Sequence, residues 1–212
     1  MRREQNERLG AGQATPAAPE RLLFCALELF ARKGYAATTV REIVQAAKVA
    51  KPVLYYYFRN KEGIYIELMR SAFVKFEAVV DETTKEERPS RDRILRLCDR
   101  VFALFLENVE LARVMNSVYY GPPQGAPFFD FEVYHRKFQD AITALVAQGM
   151  RSGEFRKGNV ADDALAIIGA INMAMEMRLC HPEVELGREG LARILNVIFN
   201  GVRKQARKGV RR

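Results

Sequence analysis

Several kinds of chemistry have little in this sequence to rest on. The two histidines, His135 and His181, lie far apart, and nothing pairs with either at the spacing a zinc site needs. The three cysteines, Cys25, Cys98 and Cys180, share no close spacing and each falls on an apolar helical face. They are expected to be buried, reduced thiols rather than disulfides or metal ligands. No nucleophile elbow, P-loop, dinucleotide fingerprint or pair of catalytic carboxylates occurs, so neither an enzyme nor a bound cofactor is expected. No apolar run approaches the roughly eighteen residues that span a bilayer, and the opening MRREQNERLG has no apolar signal-peptide core. A cytoplasmic protein is therefore expected. No segment alternates at period two for long enough to make a strand, and no internal repeat is visible.

The apolar periodicity that is present is helical throughout and predicts about nine helices. The most informative stretch runs from Thr38 to Lys61, TTVREIVQAAKVAKPVLYYYFRNK. Thr39 with Glu42 three residues on is a capping box, and Val40, Ile43, Val44 and Ala47 follow at helical spacing. Lys48 and Val49 break that helix. A second one begins with Pro52 in its first turn and carries Leu54, Tyr55 and Phe58 as its apolar stripe. Two short helices joined by a tight turn make a helix-turn-helix. The remaining face of the second helix offers Lys51, Val53, Tyr56 and Tyr57, a poor surface for water and a good one for DNA: a cation, phenolic donors to phosphate, and a methyl-bearing side chain for a thymine. Asn60 caps the next helix, which sets Lys61 where free amides already favour a phosphate.

Charge is distributed to match. The formal net charge is +8, with eight Lys or Arg against two Glu over residues 21–61 and six Lys or Arg with no acid over 203–212; residues 62–202 are net acidic. A basic patch coinciding with a helix-turn-helix is the footprint of a nucleic-acid binder.

From about Arg21 to Ile66 the chain resembles the DNA-binding domain of the TetR family of bacterial transcriptional regulators. The family wording A-x-x-L-F-x-x-x-G-Y-x-x-T-T-V-x-x-I-A-x-x-A-G-V-S-x-G-x-L-Y-x-H-F-x-x-K is met without a gap by Ala26, Leu29, Phe30, Gly34, Tyr35, Thr38, Thr39, Val40, Ile43, Ala47, Val49, Leu54, Tyr55, Phe58 and Lys61. The resemblance implies that Thr39, Lys51, Tyr55, Tyr56 and Lys61 touch DNA backbone or bases, with Pro52, Val53 and Tyr57 completing the candidate surface. Three of the chain's departures from the pattern bear on its details. Lys48 stands for the turn glycine and is expected to hold a left-handed backbone, Ala50 stands for the capping serine, and Tyr57 for a histidine.

Residues 1–17 read as a disordered arm, 18–66 as the helix-turn-helix domain with a connecting helix over 61–80, 81–205 as a second domain, and 206–212 as a basic tail. The polar run DETTKEERPS ends the connecting helix and marks the seam, with Ser90 as a cap. Further helices are expected from Ile94, broken at Asn108; over Phe128–Arg151; over Val160–Leu179 behind Asn159; and over Arg188–Gln205. The fold class is all-α, an N-terminal three-helix unit followed by a helical ligand-binding and dimerisation domain. The resemblance places a homodimer interface on the last two helices, where Ala161, Ala164, Ala166, Gly169, Ala170 and Ala174 allow close approach.

The second domain is dense in Phe, Tyr and Met, most of it core. A subset, Phe102, Phe105, Met115, Tyr119, Phe128, Tyr134, Phe138 and Met173 with Glu176, is the candidate lining of a site for a small apolar or aromatic effector. Asn116, Glu132, His135 and Asn172 are further candidates to orient it. The reading is a dimeric, effector-released repressor on palindromic operator DNA. A second reading keeps the DNA-binding half and makes the aromatic half a dimerisation scaffold or protein-docking surface with no effector.

Overall fold

The computed structural model describes residues 16–121, 125–181 and 183–202, except the side chain of Val202. The expected basic tail, the end of the last helix beyond residue 202 and nearly all of the expected N-terminal arm lie outside them. The described residues form nine helices and no strand: α1 (Ala18–Lys33), α2 (Val40–Ala46), α3 (Lys51–Phe58), α4 (Lys61–Lys85), α5 (Ser90–Glu107), α6 (Val109–Tyr120), α7 (Phe131–Ser152), α8 (Val160–Cys180) and α9 (Arg188–Val202).

Local signals start and stop the first four. Gly34, at φ 83°, ends α1 by donating its amide to the Phe30 carbonyl. Thr39 and Glu42 form the reciprocal capping box of α2: the Glu42 amide reaches the Thr39 hydroxyl at 3.3 Å, and the Thr39 amide reaches the Glu42 carboxylate at 2.9 Å. Asn60 caps α4 by accepting the Gly63 amide at 2.8 Å. Gly63 is needed there because a Cβ at that position would lie 1.9 Å from the Phe58 carbonyl oxygen.

The buried residues fall into two clusters. The first takes Leu22, Phe30, Ile43 and Leu54 from α1–α3 and Ile64, Tyr65, Met69 and Phe73 from α4. It also recruits Leu111 and Val114 of α6 and Phe131 of α7. The second joins Ile94 and Phe102 of α5, Ile142 of α7, Ile167 and Ile171 of α8, and Leu195 and Phe199 of α9. The packing boundary therefore does not follow the chain, because α6 belongs with the helix-turn-helix although it comes after α5.

Four local expectations are corrected. α4 continues through the polar run to Lys85 instead of stopping near 80. The hydroxyls of Thr83 and Thr84 bond back to the carbonyls of Val79 and Val80, and Lys137 and Arg100 pair with Asp81 and Glu82 from neighbouring helices. Ser90 does not cap α5; its amide and that of Arg91 donate at 2.8 and 2.9 Å to the carboxylate of Glu154, in the turn after α7. α7 begins at Phe131 rather than Phe128, since Asp130 accepts the Glu132 amide and fixes the start. Of the cysteines only Cys98 is buried, its thiol pushed up to about 12 by burial. Cys25 is half-buried, and Cys180 is exposed with its S–H directed at Glu176.

Candidate nucleic-acid interface and effector cavity

The surface of α3 is built by burying Leu54 fully, packing Val53 and Phe58 in part and leaving the other side chains out. Leu54 is fully buried against α1 and α4, which fixes the helix rotation and turns Lys51, Pro52, Tyr55, Tyr56 and Tyr57 to solvent, with Val53 half-buried beside them. Tyr55 thus lies outside the apolar stripe expected of it, and the Lys51 ammonium sits 5.6 Å above its ring. Tyr56 is 80% exposed, its ring edge-to-face with Tyr57 at 4.9 Å. Ala50 brings no side-chain oxygen, so no side chain caps α3; Pro52 has no amide hydrogen, and the Val53 amide donates to the Ala50 carbonyl at 2.9 Å. Lys48, in the turn glycine's place, holds φ 53°, and Arg59 at the end of α3 holds φ 65°. A non-glycine residue in this region costs of the order of 1–3 kcal/mol, which the packing of the helices on either side must over-determine.

Thr39 is exposed at the start of α2, with its hydroxyl donating to Glu42 at 2.8 Å. Lys61 sits differently from the free phosphate ligand expected of it. Its ammonium donates to the carbonyls of Tyr35 and Thr38, both at 2.9 Å, and lies 4.1 Å over the Tyr35 ring. Burial lowers its pKa. The lysine ties the start of α4 to the loop between α1 and α2. Tyr35 in turn stacks edge-on against Tyr65 of α4 at 5.3 Å. Burial pushes both phenols up to about 12, and the Tyr65 hydroxyl has no hydrogen-bond partner among the described residues.

A two-part cavity opens where the two clusters meet. The inner part, about 180 Å³, lies among α4, α5, α6, α7 and α8 and is walled chiefly by Phe73, Phe76, Phe105, Leu111, Met115 and Phe138. The outer part, about 400 Å³, continues from it between α6, α7 and α8. Polar groups collect there: Asn116, Tyr119, Tyr120, His135, Gln139, Asn172 and Glu176. Together they fall in the size range of small-molecule sites. Tyr134 stacks on Phe73 at 3.8 Å and forms part of the inner wall.

Of the expected lining, Phe105, Met115, Tyr119, Tyr134, Phe138 and Glu176 border one part or both. Phe102 does not: it is wholly buried, stacked on Phe105 at 5.7 Å. Phe128 is 87% exposed in the loop before α7, and Met173 is 60% exposed on the far side of α8; neither lines the cavity. Phe73, Phe76 and Leu111 were missed. They lie on helices whose apolar stripe reads as ordinary core, and periodicity cannot say that two faces of one stripe end in a void.

Residues 22–68 match the profile of the bacterial regulatory proteins of the tetR family. The HTH-type transcriptional regulator QacR of Staphylococcus aureus is 26% identical over 166 residues, covering 72% of this chain and 81% of that protein. Among solved structures, the TetR-family transcriptional regulator PfmR of Thermus thermophilus superposes with a TM-score of 0.69 at 24% identity, over 87% of this chain and all of that one. The transcriptional regulator FadR of Bacillus subtilis, solved in complex with stearoyl-CoA, has a TM-score of 0.65 at 20% identity, over 86% and 98% of the two chains. No helix among the described residues is long and apolar enough to cross a membrane.

Proposed function

The chain belongs to the TetR family of bacterial transcriptional regulators, and we propose that it acts as a homodimeric repressor released from palindromic operator DNA by a small apolar or aromatic effector. One observation carries the effector part. Phe73, Leu111, Met115 and Tyr134 line the cavity; the first two belong to the core that holds the helix-turn-helix, and the other two pack against it. A molecule entering the inner part has to displace side chains against which α1 and α4 are packed. Two discrete packings of that shared wall supply the two states that an effector must discriminate. FadR being solved with stearoyl-CoA supports a small-molecule effector for the fold.

The dimer reading rests on the outer faces of α8 and α9. Leu165 is 68% and Val197 is 73% exposed, and Gly169 and Gly201 have nothing within 4 Å of a would-be Cβ. An apolar patch with small residues on a paired-helix surface suits a self-complementary four-helix interface, and two-fold symmetry is what two half-sites need.

The test is a titration of the full chain, bound to fluorescent operator DNA, with a panel of lipophilic compounds. Release by some members at stoichiometric occupancy is expected. Binding of compounds without any change in operator affinity would favour the scaffold reading.

A further inference from the structure

The effector reading leaves the ligand class open, and the cavity wall narrows it. Resting on that reading, we propose that the site takes a flat lipophilic cation, an aromatic or alicyclic body bearing one amine or quaternary ammonium, and discriminates against anionic amphiphiles. Among the described residues lining either part of the cavity there is no Lys and no Arg. Glu176 at the mouth is the one carboxylate among them, and the other polar groups there are amides, phenols and an imidazole.

The guanidinium of Arg113, on the neighbouring helix α6, is already engaged, with the Leu179 carbonyl at 3.0 Å and the Glu110 carboxylate at 3.6 Å. The Glu176 carboxylate, by contrast, accepts among the described residues only the Cys180 thiol, at 3.1 Å, a weak donor.

The energetics follow from these positions. An amphiphile whose body fills the inner part carries its head group to the outer part. A carboxylate or phosphate there gains no cation and faces Glu176, itself exposed. An ammonium finds that carboxylate and the rings of Tyr119 and Tyr120, which stand edge-to-face at 4.7 Å and so present one ring face beside one ring edge. His135, edge-to-face with Tyr119 at 6.0 Å, borders both parts and can accept a hydrogen bond from an amine when neutral. The inner part, with its stacked Phe73 and Tyr134, favours a flat ring system over a flexible chain.

The experiment compares three probes with one pyrene body and one four-carbon arm: pyrenebutyl-trimethylammonium, pyrenebutanol and pyrenebutyrate. Each is titrated by fluorescence into the full-length protein, and its release of operator DNA is followed in parallel. The cation is expected to bind roughly tenfold or more tightly than the butyrate, with the alcohol between them. Glu176→Gln is expected to weaken the cation roughly three- to tenfold while leaving the alcohol unchanged. Met115→Trp, which fills the junction of the two parts, is expected to abolish binding of cation and alcohol alike. Butyrate binding as tightly as the cation, or a cation indifferent to Glu176→Gln, overturns the charge assignment and leaves the effector reading standing. Binding of none of the three, or binding that survives Met115→Trp, overturns the cavity reading and this inference with it.

Discussion

At the level of single side chains, the ammonium of Lys61 donates to two loop carbonyls and covers an aromatic ring, so its loss acts on the fold before it acts on DNA. Lys61→Met keeps the stem and removes the donors. It is expected to destabilise the protein by about 1–3 kcal/mol in urea unfolding; unchanged stability with weakened operator binding would restore the phosphate-ligand role. Lys51 and Tyr56 are the converse case, since both are exposed and neither is a core contact. Lys51→Ala and Tyr56→Phe should each weaken operator binding by about 1–3 kcal/mol, measured by anisotropy, with melting temperature unmoved.

Glu42 gives a pH signature. Its carboxyl is held at about 2, against an ordinary value of 4.5, first by the Lys33 ammonium at 2.5 Å and then by the amide and hydroxyl of Thr39. A group that is a stronger acid when folded stabilises fully above its unfolded value and loses that contribution as pH falls towards the folded one. Glu42→Gln is therefore expected to be less stable than the parent at pH 6. The gap should narrow by pH 3, as read from urea midpoints.

At the level of helices, the first four were legible because their determinants are local. The capping box at Thr39, Pro52 in the first turn of α3, Asn60 before α4 and Gly34 after α1 all act within four residues of the position they fix. Even the cost of replacing the turn glycine was readable, and Lys48 does hold a positive φ. The end of α4 and the start of α5 were not legible. One depends on ion pairs from α5 and α7, the other on Glu154, sixty-four residues beyond Ser90. The cavity was legible in composition and not in detail. Aromatic density pointed to α5–α8 and not to α4, and Phe102 and Met173 show that density does not say which side of a helix meets a void.

At the scale of the whole molecule, α4 is not the sole route from cavity to DNA. α6 lines both parts of the cavity and packs directly on α1, its Leu111 and Val114 sharing a core with Leu22, Phe30 and Leu54. A push on α6 reaches the helix-turn-helix without passing along α4. Symmetry makes a prediction at this scale. Leu165→Glu with Val197→Glu should convert a dimer to a monomer in sedimentation, with helical circular dichroism retained, because both side chains are exposed in the single chain. Operator affinity should fall with it.

The central claim is that occupancy of the shared wall controls DNA binding, and Met115→Trp probes it without any ligand. Met115 borders both parts of the cavity and packs against the core of the helix-turn-helix. The decisive measurement is operator affinity of this variant alongside its melting temperature. Operator binding is expected to weaken at least about tenfold at unchanged melting temperature, the bulky ring standing in for the effector. Full operator affinity in a variant whose cavity is filled would contradict it.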